Sequence, residues 1–239
     1  MNTERLKLSP TLQKVITIAV QALIPFLMLL GSIRLIMDTA EIWVPIEYKL
    51  PGFPEDRYGF TYDDRVYWSG VDIEFLLSDA DIEYFNDFVL DSGEPMHNER
   101  ELKHMEDVKV LVDQSWLAFR IGVFSLVILL AMLDLSAGLS AVWDALRGGV
   151  IWTLILLAVT AVVILFAFGF LFVGFHQIFF EEGTWTFLFS DTFIRLYPQR
   201  FWRDVFIFVV ILTLIQAGIL YLITILGSKV SSRNKGSKG

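Results

Sequence analysis

Cysteine is absent from the 239 residues. That excludes a disulfide, a thiolate metal ligand and a cysteine nucleophile. Histidine is scarce, with only His97, His104 and His176. The third shortage is local. Charged residues make up 19% of the chain, yet Val15–Ile33, Ile121–Leu133, Gly148–Phe175 and Val205–Ser228 contain none. Hydrophobic residues reach 55%, above the ~45–50% of soluble domains. The formal net charge of -8 is unevenly placed. Acidic residues crowd between Asp38 and Asp113, while both ends are basic, which implies sided placement rather than an acidic soluble surface.

A helix needs about 20 apolar residues to cross a hydrocarbon core about 30 Å thick. The first, third and fourth blocks meet this. The second meets it only if it starts at Trp116 and Arg120 snorkels to the interface. The first block is too long for a signal-peptide core, and no A-x-A site follows it. The chain therefore reads as a mainly α membrane protein with four transmembrane helices and a small α, minor β, domain between helices 1 and 2. The predicted order is a segment 1–14, span 15–37, an outer domain 38–115, span 116–133, a loop 134–147, span 148–175, an outer loop 176–204, span 205–228 and a basic tail 229–239. Arg5, Lys7 and Lys14 at one end and Lys229, Arg233, Lys235 and Lys238 at the other predict cytoplasmic termini. Arg195, Arg200 and Arg203 argue mildly the other way. Under this topology 38–115 and 176–204 face outward.

Within the outer segment, Tyr48–Pro54 carries two prolines and a glycine and reads as irregular. Thr61 precedes Asp63 and Asp64, predicting a helix over about 62–78. Residues 88–96 read as a small hairpin or loop. Asn98 with Glu101 matches a capping box. It opens a helix expected to run from about 99 into the second span without a Gly or Pro before Gly122.

His97 lies in polar, turn-like sequence and reads as exposed. His104 has Asp107 on the same helix face, three residues on. His176 directly follows the third span among aromatics. The last two both fall on the outer side. Their plainer readings are a surface histidine paired with Asp107 and an interfacial histidine. Straight-helix geometry sets His104 about 18 Å above the second span. A long third span or a tilted 99–133 helix would bring the two histidines together.

The surrounding motifs carry a resemblance. Glu101-Leu-Lys-His-Met-Glu-Asp-Val-Lys109 and Phe175-His-Gln-Ile-Phe-Phe180 resemble signatures of the bacterial lipoprotein intramolecular transacylase (Lit) family. So do Thr184–Phe187, Ile194–Pro198 and Phe201-Trp202, with Tyr58-Gly-Phe60 and Asp64-Arg65 upstream. The likeness implies an enzyme that moves the sn-2 acyl chain of a diacylglyceryl-cysteine lipoprotein to the cysteine α-amine. The product is a lyso-form lipoprotein. It implies His104 and His176 as catalytic residues, with Asp107, Arg195 and Tyr197 in support; either the two divide the base and acid roles, or one does both in sequence while the other holds the oxyanion. Phe175, Phe179, Phe180, Trp185 and Arg120 are expected at the substrate or membrane interface. No cofactor or metal is expected. The expected partners are the lipidated lipoprotein and membrane lipid, not nucleic acid. An ester-to-amide exchange suits histidine, whose pKa near 6.5 lets it take an amine proton. The rivals are a zinc-dependent hydrolase, though H-E-x-x-H is missing, and a non-enzymatic membrane protein whose outer domain binds a partner.

Overall fold

The computed structural model describes residues 6–236, which form helices joined by short connections. Arg5 and Lys238, cited above for orientation, lie outside the described residues. Helix α1 spans Pro10–Asp38 and α2 Ala40–Glu47. Helix α3 spans Tyr62–Leu77 and is followed by a 3-10 turn, Ile82–Asp87. Then come α4 (Glu99–Ala137), α5 (Leu139–Phe179), α6 (Thr192–Leu196) and α7 (Gln199–Gly236). Helices α1, α4, α5 and α7 are each long and apolar enough to cross a membrane. The β content among the described residues is a single antiparallel bridge, Val89 with Pro95.

Local chemistry explains the ends. Thr61 accepts a hydrogen bond from the Asp64 amide while Asp64 accepts from the Thr61 amide, a capping box that starts α3. Asn98 Oδ1 accepts from the Glu101 amide, and Glu101 Oε2 accepts from the Asn98 amide at 2.9 Å. That pair opens α4 where the sequence placed it. The expected loop 134–147 is reduced to one break. Gly138 adopts φ 86° and its amide reaches back to the Leu133 and Asp134 carbonyls, so α4 stops and α5 begins at once. Helix α5 is interrupted at Ala167, whose φ and ψ of -145° and 33° are not helical.

The chain divides into two compact units. The first takes the described residues of Met1–Ile33, Trp116–Val162 and Val209–Gly239. Its core holds Ile16, Val20, Ile24, Met28, Leu133, Val142, Ala145, Leu146, Val150 and Ala217. Helices approach closely at glycines: a Cβ on Gly149 would lie 2.6 Å from Ile24 Cγ1, and one on Gly227 2.4 Å from Trp143. Ser32 and Thr213 hydroxyls bond at 2.8 Å, and Gln216 Nε2 donates to Ser32 Oγ. Small residues and sparse interhelical hydrogen bonds are how apolar helices associate in lipid.

The second unit takes Arg34–Ser115 and Val163–Phe208. One cluster packs Val71, Phe75, Phe85, Met96, Met105, Phe193 and Leu196. Another packs Ala40, Val44, Tyr48 and Phe201. Buried polar residues are dense here, including Glu47, Arg65, Asp72, His97, Glu101, His104 and His176.

Candidate active site

The site lies wholly within the second unit and is assembled from α4, the end of α5 and the connection to α6. Helix α4 sets the frame. Glu101, fixed by the Asn98 cap, uses its other oxygen to accept from the Phe193 amide at 2.7 Å. Thr192 Oγ1 donates to the Met96 carbonyl at 2.7 Å. These two bonds hang α6 on the start of α4. Burial pushes the Glu101 carboxyl up, against the lowering effect of His97 and its two amide donors.

His97 is not the exposed residue its sequence surroundings predicted. It is 2% exposed, with Nε2 2.7 Å from Asp72 Oδ1. Tyr197 donates its hydroxyl to the other Asp72 oxygen at 2.9 Å. Burial, then Asp72, drives the Tyr197 hydroxyl well above its ordinary pKa. The trio locks α3, the start of α4 and the residue after α6 together. Polar neighbours in sequence say nothing about a partner on another helix, which is why the local reading failed.

His104 and His176 come together. Their ring centroids are 6.0 Å apart and the rings are near parallel, at 20°. Both are buried. Phe180 packs against both, 4.7 Å from His104 and 5.5 Å from His176. Phe187 and Phe193 complete the wall on His104 at 5.4 and 5.9 Å. Phe172, Trp185 and Phe175 wall His176 at 4.2, 4.9 and 5.5 Å. The expected interface set included Phe175, Phe180 and Trp185. It missed Phe172, one helical turn before His176, and Phe193, which the bonds of Thr192 and Glu101 bring in.

The tautomer of His176 is set by geometry. Its Nδ1 is 2.7 Å from the Phe172 carbonyl, an acceptor only, so Nδ1 carries the proton and Nε2 of the neutral ring keeps its lone pair. His104 stands in the charged first part of α4, ahead of the apolar stretch from Trp116. Its Nδ1 is buried without a partner. Burial, helped by nearby His176 and opposed by Asp107, pulls the His104 pKa down to about 4. Asp107 does not orient that ring as expected. It pairs with Lys103 at 3.1 Å, one turn back on the same helix.

Arg195, expected in support, works away from the histidine pair. Arg195 bonds Asp56 at 3.1 Å, reaches the Tyr58 carbonyl and covers the Phe60 ring at 3.3 Å. It pins the 56–60 segment. Arg65 donates to the Pro54 carbonyl at 2.8 Å, so the upstream motif residues also build the frame. Phe179 is 50% exposed and packs on Phe175. Arg120 belongs to the other unit and is exposed. Among the described residues no group of three or more His, Asp or Glu side chains is placed to hold a metal ion.

A pair of buried histidines, one with a free ring lone pair, in an aromatic shell is suited to proton transfer shielded from water. The family model Lipoprotein intramolecular transacylase Lit matches residues 18–202. The chain belongs to the Lit family. Its activity class is therefore that of a membrane transacylase acting on lipoproteins. An uncharacterised protein of Aquifex aeolicus (strain VF5) is 31% identical over 219 residues, covering 91% of this chain and 97% of that one. The fold matches that of the membrane-integral Lit from Bacillus cereus, with a TM-score of 0.77, 19% identity, and coverage of 94% of this chain and 100% of that one. Two further structures of the Bacillus cereus protein match with a TM-score of 0.73 and 19% identity. In one a histidine is replaced by arginine, covering 94% of this chain and 95% of that one. In the other it is replaced by alanine, covering 93% and 96%.

Proposed function

We propose that this Lit-family member moves the sn-2 acyl chain of a diacylglyceryl-modified lipoprotein from glycerol to the α-amine of the same N-terminal cysteine, using His104 and His176. The observation that carries this reading is the pairing of the two rings at 6.0 Å with the lone pair of His176 left on Nε2.

His176 is the base. A free α-amine titrates near 7.7–8.0, and only its neutral form attacks. Entry into an aromatic enclosure disfavours the ammonium. As the amine nitrogen bonds to the ester carbon, Nε2 takes the proton it sheds. His104, held neutral, is the acid side of the relay. It takes that proton from His176 on one ring nitrogen and releases the proton of the other to the departing glycerol oxygen, which returns both rings to neutral. Two imidazolium charges so close repel, so the pair carries one extra proton at a time. Because amine and ester belong to one substrate, effective molarity can remove about 7–11 kcal/mol of the barrier in favourable cases. No acyl-enzyme is needed, and the chain has no cysteine to form a thioester.

The reading places the site at the outer face of the membrane with both termini cytoplasmic. Support comes from the basic residues near both ends and from Lys229 next to the fourth apolar block. Arg195 and Tyr197 act by holding the frame rather than by touching substrate.

The test is expression in a host lacking lipoprotein N-acylation, followed by mass spectrometry of a reporter lipoprotein. Wild type should convert the diacylglyceryl form to the lyso-form. His176→Ala and His104→Ala should each lower conversion by about 10²–10⁴-fold, the range for a lost acid or base. An unconverted reporter with wild type sinks the transfer reading. Full conversion by either variant removes that histidine from the mechanism.

A further inference from the structure

Attack on an ester carbon leaves negative charge on its oxygen, and that oxygen needs hydrogen-bond donors already in place. The aromatic rings facing His104 and His176 are Phe172, Phe175, Phe180, Phe187, Phe193 and Trp185. Five of them have no polar hydrogen. The sixth has an indole N–H.

The Nε1 of Trp185 is buried and has no hydrogen-bond partner. Its ring lies 4.9 Å from that of His176 at an interplanar angle of 38°. Several other donors of the frame are engaged, and the His104 N–H serves the proton relay. The Tyr197 hydroxyl is on Asp72. Arg100 donates to the Thr186 carbonyl at 3.1 Å, and Thr184 Oγ1 to the Glu181 carbonyl at 3.0 Å. His176 Nδ1 is on Phe172. A buried indole N–H ordinarily finds an acceptor. One left open beside the base is matched to an acceptor that arrives with the substrate.

The backbone around Trp185 is held in place. Gly183 adopts φ 90°, allowing the turn in which the Thr184 amide returns to the Glu181 carbonyl. The Arg100 bond then fixes the residue after Trp185 to the start of α4. We propose that Trp185 is a third catalytic residue, its Nε1–H donating to the substrate's ester carbonyl oxygen as that oxygen becomes the oxyanion. This rests on the acyl-transfer reading above. The balance is simple. Amine nitrogen bonds to carbon as the carbonyl electron pair moves to oxygen. On collapse the carbon–glycerol oxygen bond breaks, and that oxygen takes the relayed proton. Trp185 keeps its own proton throughout. In an enclosure with little water the bond is stronger than in solution.

The experiment uses the purified full chain in lipid with a diacylglyceryl lipopeptide as substrate. Trp185→Phe keeps a ring and removes the donor. Site-specific replacement of the indole by benzothiophene keeps the shape, with sulfur where the N–H was, and carries the test if the phenylalanine variant misfolds. Both should lower kcat by about 10²-fold, the scale of one lost oxyanion donor, with KM changed less than about two-fold and the melting temperature kept. Wild-type kcat in the benzothiophene protein overturns the proposal, as does a loss seen only in KM, and neither touches the transfer reading. An inactive wild type removes the reading itself.

Discussion

Where Gly149 meets Ile24 and Gly227 meets Trp143, helices close up because a side chain is missing. Where His104 meets His176, space is filled by rings, and carboxylates lie buried among them. The first unit joins its helices mostly with hydroxyls and an amide, as in Ser32, Thr213 and Gln216, with Arg147 reaching Ser228 Oγ at 3.4 Å. The second joins its elements through ionisable groups: Asp72 with His97, Glu101 with the Phe193 amide, Arg195 with Asp56. Packing without charge tolerates a change of pH. Packing through buried charge gives exact placement but leaves a large penalty when one partner is lost. Placement is what acid–base chemistry requires, so the costly material sits with the histidines.

The sharpest way to break this contrast is Asp72→Ala. It leaves His97 Nε2 and the Tyr197 hydroxyl buried without their acceptor. Removing one member of a buried pair costs about 3–5 kcal/mol. The loss should appear as faster hydrogen exchange in 34–115 and 163–208, with exchange in 116–162 little changed. Equal acceleration in both units would mean that they unfold as one, and the contrast would have no energetic content.

Gly149→Ala tests the other side. The new Cβ would meet Ile24 Cγ1 at 2.6 Å and Ile24 Cβ at 2.7 Å, close to the branch point of a stiff side chain. Overpacking of this kind costs about 1–3 kcal/mol. Gly218→Ala in the same unit meets nothing within 4 Å and should be neutral or stabilise by up to about 1 kcal/mol through helix propensity. Thermal unfolding in detergent measures both. A neutral Gly149→Ala would show that the close approach is slack.

Much of the frame was legible in the sequence because its causes are local. Uncharged blocks marked the spans. Asn98 with Glu101 and Thr61 with the following aspartates marked two helix starts. Resemblance of motifs, not periodicity, singled out His104 and His176. What stayed hidden depends on partners far along the chain. Asp107 was placed beside His104 by spacing, but Lys103 on the same face takes it. Arg195 and Tyr197 look like site groups in the motif yet bind Asp56 and Asp72, more than a hundred residues away. The Trp185 indole looked like a membrane anchor because sequence cannot tell a paired N–H from an open one.

The smallest expected effect is a pH slope. Glu47, at the end of α2, is 1% exposed and neither carboxylate oxygen has a partner at normal hydrogen-bond geometry. Burial first, then the opposing Asp204, pushes its pKa up to about 7, against the lowering effect of Arg200 and Arg203. Between about 4.5 and 7 the unfolded chain gives up this proton while the folded chain keeps it. The folded state then holds more protons, so stability falls as pH rises through that window and levels off above it. With two partly exposed arginines screening the group, the effect should be about 1 kcal/mol, or about 2–4 °C for a chain of this size. Melting temperatures of wild type and Glu47→Gln at pH 5, 6, 7 and 8 read it as their difference, with wild type falling relative to the variant as pH rises. His104, with its pKa lowered to about 4, contributes the opposite sign, since the unfolded chain binds a proton below about 6.5 that the folded chain refuses. The two contributions oppose each other between about 4.5 and 6.5, so His104→Asn should expose the fall with rising pH that Glu47 produces. A wild-type profile that Glu47→Gln leaves unchanged would mean that Glu47 is ionised in the folded protein and matched by Arg200 and Arg203.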